Sequence, residues 1–234
     1  MEGKDEGKIE ASSGERRNSM LKSVVMIAMT AVPMSVTMSQ DSSDLDARVR
    51  AFLDSRRGTW RDMNVPEADG KVLYELIVKN GYTRALEIGT STGHSTIWIA
   101  WALSKTGGKV TTIEIDRGRY ELALRNFEEA GLSRFIDARL ADAHELVPTL
   151  EGPFDFVFSD ADKDWYRKYF EILSPRIVVN GCFAAHNVLM RMAGIREFLD
   201  YVQGLPTYRT TIERSSSAGM SISIKLREDT PPKR

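Results

Sequence analysis

Residues 84–103 read RALEIGTSTGHSTIWIAWAL, and few backbones accommodate that order of residues. The first part, 84–88, is a short apolar run of the kind buried on both faces of a parallel sheet. Gly89, Thr90, Ser91, Thr92 and Gly93 then form a loop of small residues, where a backbone can come close to a ligand. Ser95 or Thr96 is positioned to cap a helix whose apolar stripe is Ile97, Trp98, Ala100, Trp101 and Leu103. The start of such a helix offers unpaired N–H groups to a carboxylate or phosphate. A second strand at 110–115 carries Glu114 near its end. Its distance along the chain from Gly89 is close to that at which an acid meets a ribose in nucleotide-type sheets.

A glycine loop alone describes many strand–helix turns. Loop, helix and acid-tipped second strand together point to an adenosine ligand. The spacing G-x-x-x-G departs from the dinucleotide fingerprint G-x-G-x-x-G, which disfavours NAD or FAD.

Residues 1–18 are polar and charged, a composition that resists ordering. Residues 23–40 then contain no charged side chain, and Arg16, Arg17 and Lys22 precede them. A basic flank, a short apolar core and small polar residues describe a secretory signal. The competing reading is an upstream extension, with Met34 or Met38 as the true start. Pro33 and the interspersed Ser and Thr argue against a membrane-spanning helix. The expected organisation is an N-terminal extension at 1–43, one domain at 44–226 and a flexible tail at 227–234.

Leu45, Val49, Phe52 and Leu53 share one face of a helix expected at 44–55. After a connector at 60–70, Val72, Leu73, Leu76 and Ile77 mark a second helix that Gly81 ends. Downstream, strands are expected at 134–140, 154–159 and 177–185, alternating with helices at 117–130, 165–173 and 195–202. Residues 208–213 and 220–226 read as a terminal antiparallel hairpin. This is an α/β, doubly wound, mostly parallel sheet, in which ligands sit beyond the carboxyl ends of the strands. Those ends carry Gly89, Glu114, Asp142, Asp160 and the pair His186-Asn187.

Asp160-Ala161-Asp162-Lys163 follows a buried strand directly. By itself Asp160 would be a helix cap and Lys163 a solvated amine. With His186 and Asn187 at the next strand end, Asp160 could instead share a divalent cation, which would leave Lys163 disposed to act as a base. The formal net charge of −1 gives no bulk attraction to nucleic acid or to an anionic membrane. The one cysteine, Cys182, lies in an apolar run and is expected in the core.

ALEIGTSTGHST, TTIEID, ADAHELVP, FDFVFSDADKDWY and MNVPEADGK (63–71) together resemble the motifs of the cation-dependent O-methyltransferases, the family of catechol and caffeoyl-CoA O-methyltransferases. The resemblance covers roughly residues 44–226 and implies a Rossmann-like, S-adenosylmethionine-dependent fold. It implies that Val65, Gly89, Ser91, Ser95, Glu114, Ala143 and Asp160 line the cofactor site. It further implies that Asp160, His186 and Asn187 bind magnesium or manganese, that Lys163 is the catalytic base beside Asp160, and that Met63 and Trp60 border the pocket. His186 stands where the family has aspartate, and His94 where relatives often have tyrosine. An imidazole is a poorer ligand for magnesium than a carboxylate, so the metal preference or the metal itself is in question. His144 reads as a helix-start surface residue.

The implied substrate is a small aromatic hydroxyl compound with no nucleic acid or stable membrane partner. The implied location is the cytoplasm, with export as the alternative, and relatives are often homodimers. The rivals are a paralogue that binds S-adenosylmethionine but has lost its metal chemistry, a methyltransferase acting on another nucleophile without metal, and an NAD(P) oxidoreductase.

Overall fold

The computed structural model describes residues 34–60 and 62–228. Helices α1 (Met34–Ser55) and α2 (Glu67–Asn80) precede strand β1 (Arg84–Ile88). There follow α3 (His94–Thr106), β2 (Lys109–Glu114), α4 (Arg117–Ala130), β3 (Ile136–Leu140), the short α5 (Ala143–Leu146) and β4 (Phe154–Ser159). Then come α6 (Tyr166–Leu173), β5 (Ile177–His186), α7 (Ala193–Gln203), β6 (Tyr208–Glu213) and β7 (Met220–Lys225).

The strands form one sheet in the order β3-β2-β1-β4-β5-β7-β6. Pairs from β3 through β5 are parallel, while β7 runs antiparallel to both β5 and β6. The expected doubly wound sheet and its terminal hairpin are therefore present. Order reverses between β1 and β4, and such a switch point opens a crevice at the carboxyl ends of the two strands.

Alternation along the strands sends side chains to two cores. On one face Ala85, Val110, Phe156, Phe158 and Cys182 pack with residues of α1–α4 such as Phe52, Leu73, Ile97, Trp101 and Phe127. On the other, Leu86, Ile88, Val157 and Phe183 pack with Tyr166, Phe170, Ile195 and Phe198 of α6 and α7. Phe170 meets Phe183 edge-on at 5.1 Å and Tyr208 at 4.8 Å. Burial of such a ring contributes about 1.5–3 kcal/mol. Cys182 is buried as expected, and burial pushes its thiol well above the ordinary range.

Some boundaries differ from those read in the sequence. Helix α1 starts at Met34 rather than at 44, so part of the signal-like stretch continues a helix, while the part before Met34 lies outside the described residues. Helix α2 begins at Glu67, inside the expected connector. Strand β5 extends through His186. Among the described residues no helix is long and apolar enough to cross a membrane.

Candidate active site

The crevice at the switch point begins with Gly89. Its φ is +100°, and a Cβ there would lie 3.1 Å from the backbone of Asp160 and Ala161. Glycine thus meets both a dihedral and a packing requirement, keeping the ends of β1 and β4 in register. Asp160 N donates to Ile88 O at 2.9 Å across the same junction. Ser91, also left-handed at φ +49°, points its N–H at Oε2 of Glu114, 2.7 Å away. Oε1 of Glu114 accepts from the N–H groups of Ile115 at 3.1 Å and Asp116 at 2.9 Å. A buried carboxylate is thereby fixed at the tip of β2.

Helix α3 starts differently from its expected cap. Gly93, at φ +96°, is the N-cap, and no side chain caps the helix. Thr96 turns inward instead and donates to Oε2 of Glu87 beneath the loop, with Ser95 facing the same carboxyl. Thr112 donates to the same carboxyl at 2.6 Å. Burial pushes the Glu87 carboxyl up to about 7, against the opposing pull of these three hydroxyls.

A cavity of about 550 Å³ opens over the strand ends. That volume is in the range of small-molecule and cofactor sites. Gly89, Ser91, Glu114, Ala143, Asp160, Lys163, His186 and Asn187 all line it, as does Met63. The cradle suits an adenosine ligand: a buried carboxylate at a second strand tip, a tight glycine turn and an apolar wall of Ile113, Ala141 and Ala143.

Other expected residues lie elsewhere. Val65 is buried, and its carbonyl lies 2.8 Å from Nδ1 of His94. Ser95 faces Glu87. Neither lines this cavity. Trp60 stacks on His94 with ring centroids 4.5 Å apart and borders a second cavity beside α1 and α2. His94 is a core residue whose Nε2 accepts from Trp98 Nε1 at 3.1 Å, and burial lowers its basicity. His144, read as a surface residue, lines the site and stacks on Trp165 at 3.9 Å.

The opposite end of the cavity is charged. Lys163 Nζ donates to Asp160 Oδ1 at 2.6 Å and to Asp160 O at 3.1 Å. His186 Nδ1 lies 3.2 Å from Asp160 Oδ2, and its Nε2 lies 2.7 Å from Oδ2 of Asp69. Asp69, on the first turn of α2, is 1% exposed and also accepts from Ser216 Oγ at 2.6 Å. Tyr166 Oη donates to His186 O at 3.1 Å, which holds the backbone of this strand end. Burial opposes charge on His186, but hydrogen bonds and attraction from Asp160 and Asp69 outweigh it and raise its pKa to about 9. Burial likewise opposes charge on Asp69, yet the bonds from His186 and Ser216 hold its carboxyl below the ordinary range. Asp69 was not singled out in the sequence, although it lies within MNVPEADGK.

This geometry does not fit the divalent cation implied by Asp160, His186 and Asn187. Carboxylates only accept hydrogen bonds, so an imidazole flanked by two of them donates from both nitrogens and has no lone pair for a metal. Both oxygens of Asp160 are engaged as well, one by Lys163 and one by His186. Among the described residues no group of three or more His, Cys, Asp or Glu side chains is arranged to hold a metal ion.

A family model described as O-methyltransferase matches residues 36–197. The chain is 32% identical over 170 residues to a caffeoyl-CoA O-methyltransferase of Populus kitakamiensis, covering 70% of this chain and 72% of that protein. It is 38% identical over 113 residues to a catechol O-methyltransferase of Niastella koreensis, covering 47% of this chain and 51% of that one. Against a caffeoyl-CoA O-methyltransferase of Zea mays the match likewise spans about half of the relative, 52%. An O-methyltransferase from Bacillus cereus solved in complex with SAH superposes with a TM-score of 0.67 at 26% identity, covering 81% of this chain and 97% of that one. The O-methyltransferase TomG from Streptomyces achromogenes, involved in tomaymycin synthesis and solved with SAM, gives 0.67 at 26% identity, with 77% and 90% covered. The chain belongs to the O-methyltransferase family.

Proposed function

We propose that this member of the O-methyltransferase family transfers the methyl group of S-adenosylmethionine to a hydroxyl of a small aromatic, catechol-like substrate. The observation that carries the reading is that one cavity joins the Glu114 carboxylate at one end to the Asp160–Lys163 pair at the other. S-adenosylmethionine, when bound, supplies an electrophilic methyl on a positively charged sulfur. Glu114 accepts the ribose hydroxyls, and the Gly89 turn lets the backbone come close to the ligand.

The acceptor hydroxyl lies beside Lys163. Lys163 first gives up its ammonium proton to solvent; the neutral Nζ then takes the hydroxyl proton, the oxygen bonds the methyl carbon, and the carbon–sulfur pair leaves with the sulfur. Asp160 holds the lysine in place through two contacts, which sets the direction of proton transfer. Met190 and Met192, half-exposed on the rim, offer adaptable apolar surface to an aromatic ring.

The test combines calorimetric titration of the full chain with S-adenosylmethionine and transfer of labelled methyl to a panel of catechols and monophenols. Binding with transfer to a catechol supports the reading. Absence of binding removes it, and binding without transfer to any phenol leaves a binding protein or another nucleophile.

A further inference from the structure

At the charged end of the cavity stand Asp160, Lys163 and His186, with a second carboxylate, Asp69, buried behind His186. Their contacts form one continuous chain. Ser216 donates to Asp69 at 2.6 Å, Asp69 meets His186 at 2.7 Å, His186 meets Asp160 at 3.2 Å, and Asp160 meets Lys163 at 2.6 Å. His186 is 3% exposed and Asp69 1%, so this pairing occurs largely out of water.

Buried charges persist when they are paired and hydrogen-bonded. Here the formal charges of the cluster already cancel. A divalent ion added to it would leave an uncompensated excess in a place that water reaches poorly. It would also have to displace a ring proton and break a contact of Asp160. The histidine is therefore more than a poorer ligand at a metal position, because its ring occupies the space between the carboxylates and supplies the charge that balances them.

We propose that His186, clamped between Asp69 and Asp160, is the resident cation of this site, so that the chain takes up no divalent metal there and transfers methyl without one. Asp69 is a positioning residue: it acts through His186, fixing the ring so that Nδ1 faces Asp160. Asp160 in turn orients Lys163 toward the acceptor oxygen. The inference rests on the methyltransferase reading for its catalytic part, but the identity of the cation does not depend on it.

The experiment uses the full chain labelled with ¹⁵N-histidine. The sequence has three histidines, which individual substitutions assign. At neutral pH the His186 ring should show both nitrogens protonated, with Nε2–H in the strongly hydrogen-bonded range. In Asp69→Asn the Nε2–H signal should leave that range while the Nδ1–H signal stays, a change that a merely structural role for Asp69 would not single out. Calorimetric titration with MnCl₂ and with MgCl₂ should give no binding to the wild type at millimolar ion.

His186→Asp removes the ring and restores a carboxylate beside Asn187. It should bind Mn²⁺ at least tenfold more tightly than the wild type, and His186→Asn serves if that variant does not fold. Methyl transfer by the wild type should change less than twofold on adding chelator. An unprotonated ring nitrogen on His186, or Mn²⁺ binding by the wild type that Asp160→Ala abolishes, would overturn the proposal. If S-adenosylmethionine fails to bind, the functional reading falls, while the ring and Mn²⁺ measurements still decide the cation.

Discussion

Asp69 Oδ2 lies 2.7 Å from His186 Nε2, although 117 residues separate them in sequence. The contact joins the first turn of α2 to the end of β5. It ties a helix that precedes the sheet to a strand end that lines the cavity.

Removing one member of a buried charged pair leaves the other uncompensated, a loss that commonly costs about 3–5 kcal/mol. His186 would keep Asp160 as a partner, so Asp69→Ala should lower stability by about 3 kcal/mol in urea denaturation. The double variant Asp69→Ala, His186→Phe should recover part of that loss, because no unpaired ring remains. A loss in the double variant equal to the sum of the losses in Asp69→Ala and His186→Phe would show that the two residues are not coupled.

In the proposed complex Glu114 serves the ribose in addition to the N–H groups of Ser91, Ile115 and Asp116 that it already holds. Removing a charged acceptor costs about 1.5–3 kcal/mol. Glu114→Ala should weaken S-adenosylmethionine binding by roughly tenfold or more in calorimetry and keep the far-ultraviolet spectrum of the wild type. Unchanged affinity would remove Glu114 from the ribose position.

Lys163 is tested by two substitutions. General-base catalysis is worth about 10²–10⁴-fold, so Lys163→Ala should lower kcat on that order with the KM for S-adenosylmethionine nearly unchanged. Lys163→Arg keeps a positive charge beside Asp160 but cannot serve as a base. It should be as slow as the alanine variant. Recovery of turnover in the arginine variant would reassign Lys163 to charge balance.

Glu87 gives the fold a pH signature of its own. Burial raises its carboxyl to about 7 from the ordinary 4.5. Between these values the unfolded chain releases the proton and the folded chain retains it, so this group makes stability fall as pH rises from 4.5 to 7 and then level off. The full effect is on the order of 3 kcal/mol, at 1.36 kcal/mol per pH unit. Glu87→Gln does not titrate. The difference in unfolding free energy between wild type and this variant should shift by up to that amount between pH 4.5 and 8, with other titrating groups cancelling in the comparison. A pH-independent difference would show that Glu87 titrates normally.

The rim of the site was legible because parallel strands are buried on both faces and stand out as apolar runs. The polar residues that end them, Gly89, Glu114, Asp160 and His186, then fall at predictable places. Asp69 was not legible. It lies on a helix whose start sits inside an apparent connector, and local periodicity carries no information about a contact made across the fold. The cap of α3 is hidden for a related reason: a hydroxyl near a helix start usually caps it, but here the buried Glu87 takes the Thr96 hydroxyl. His186 was recognised as a departure. That its ring would face a carboxylate on each side could be known only once α2 was in place.

The position of β7 has a consequence for assembly. In the sheet it lies between β5 and β6, yet it follows β6 in the chain. During synthesis β6 emerges before the strand that will join it to β5. The parallel sheet through β5 can form while the 208–213 segment has no partner in it. The loop between β6 and β7 carries Ser216, so Asp69 receives that hydroxyl only after the late strand has inserted. Maturation of the charged cluster is therefore expected to lag behind formation of the parallel half of the sheet, leaving an interval in which the nascent protein has its Gly89 turn and Glu114 carboxylate in place but not the completed cluster around His186.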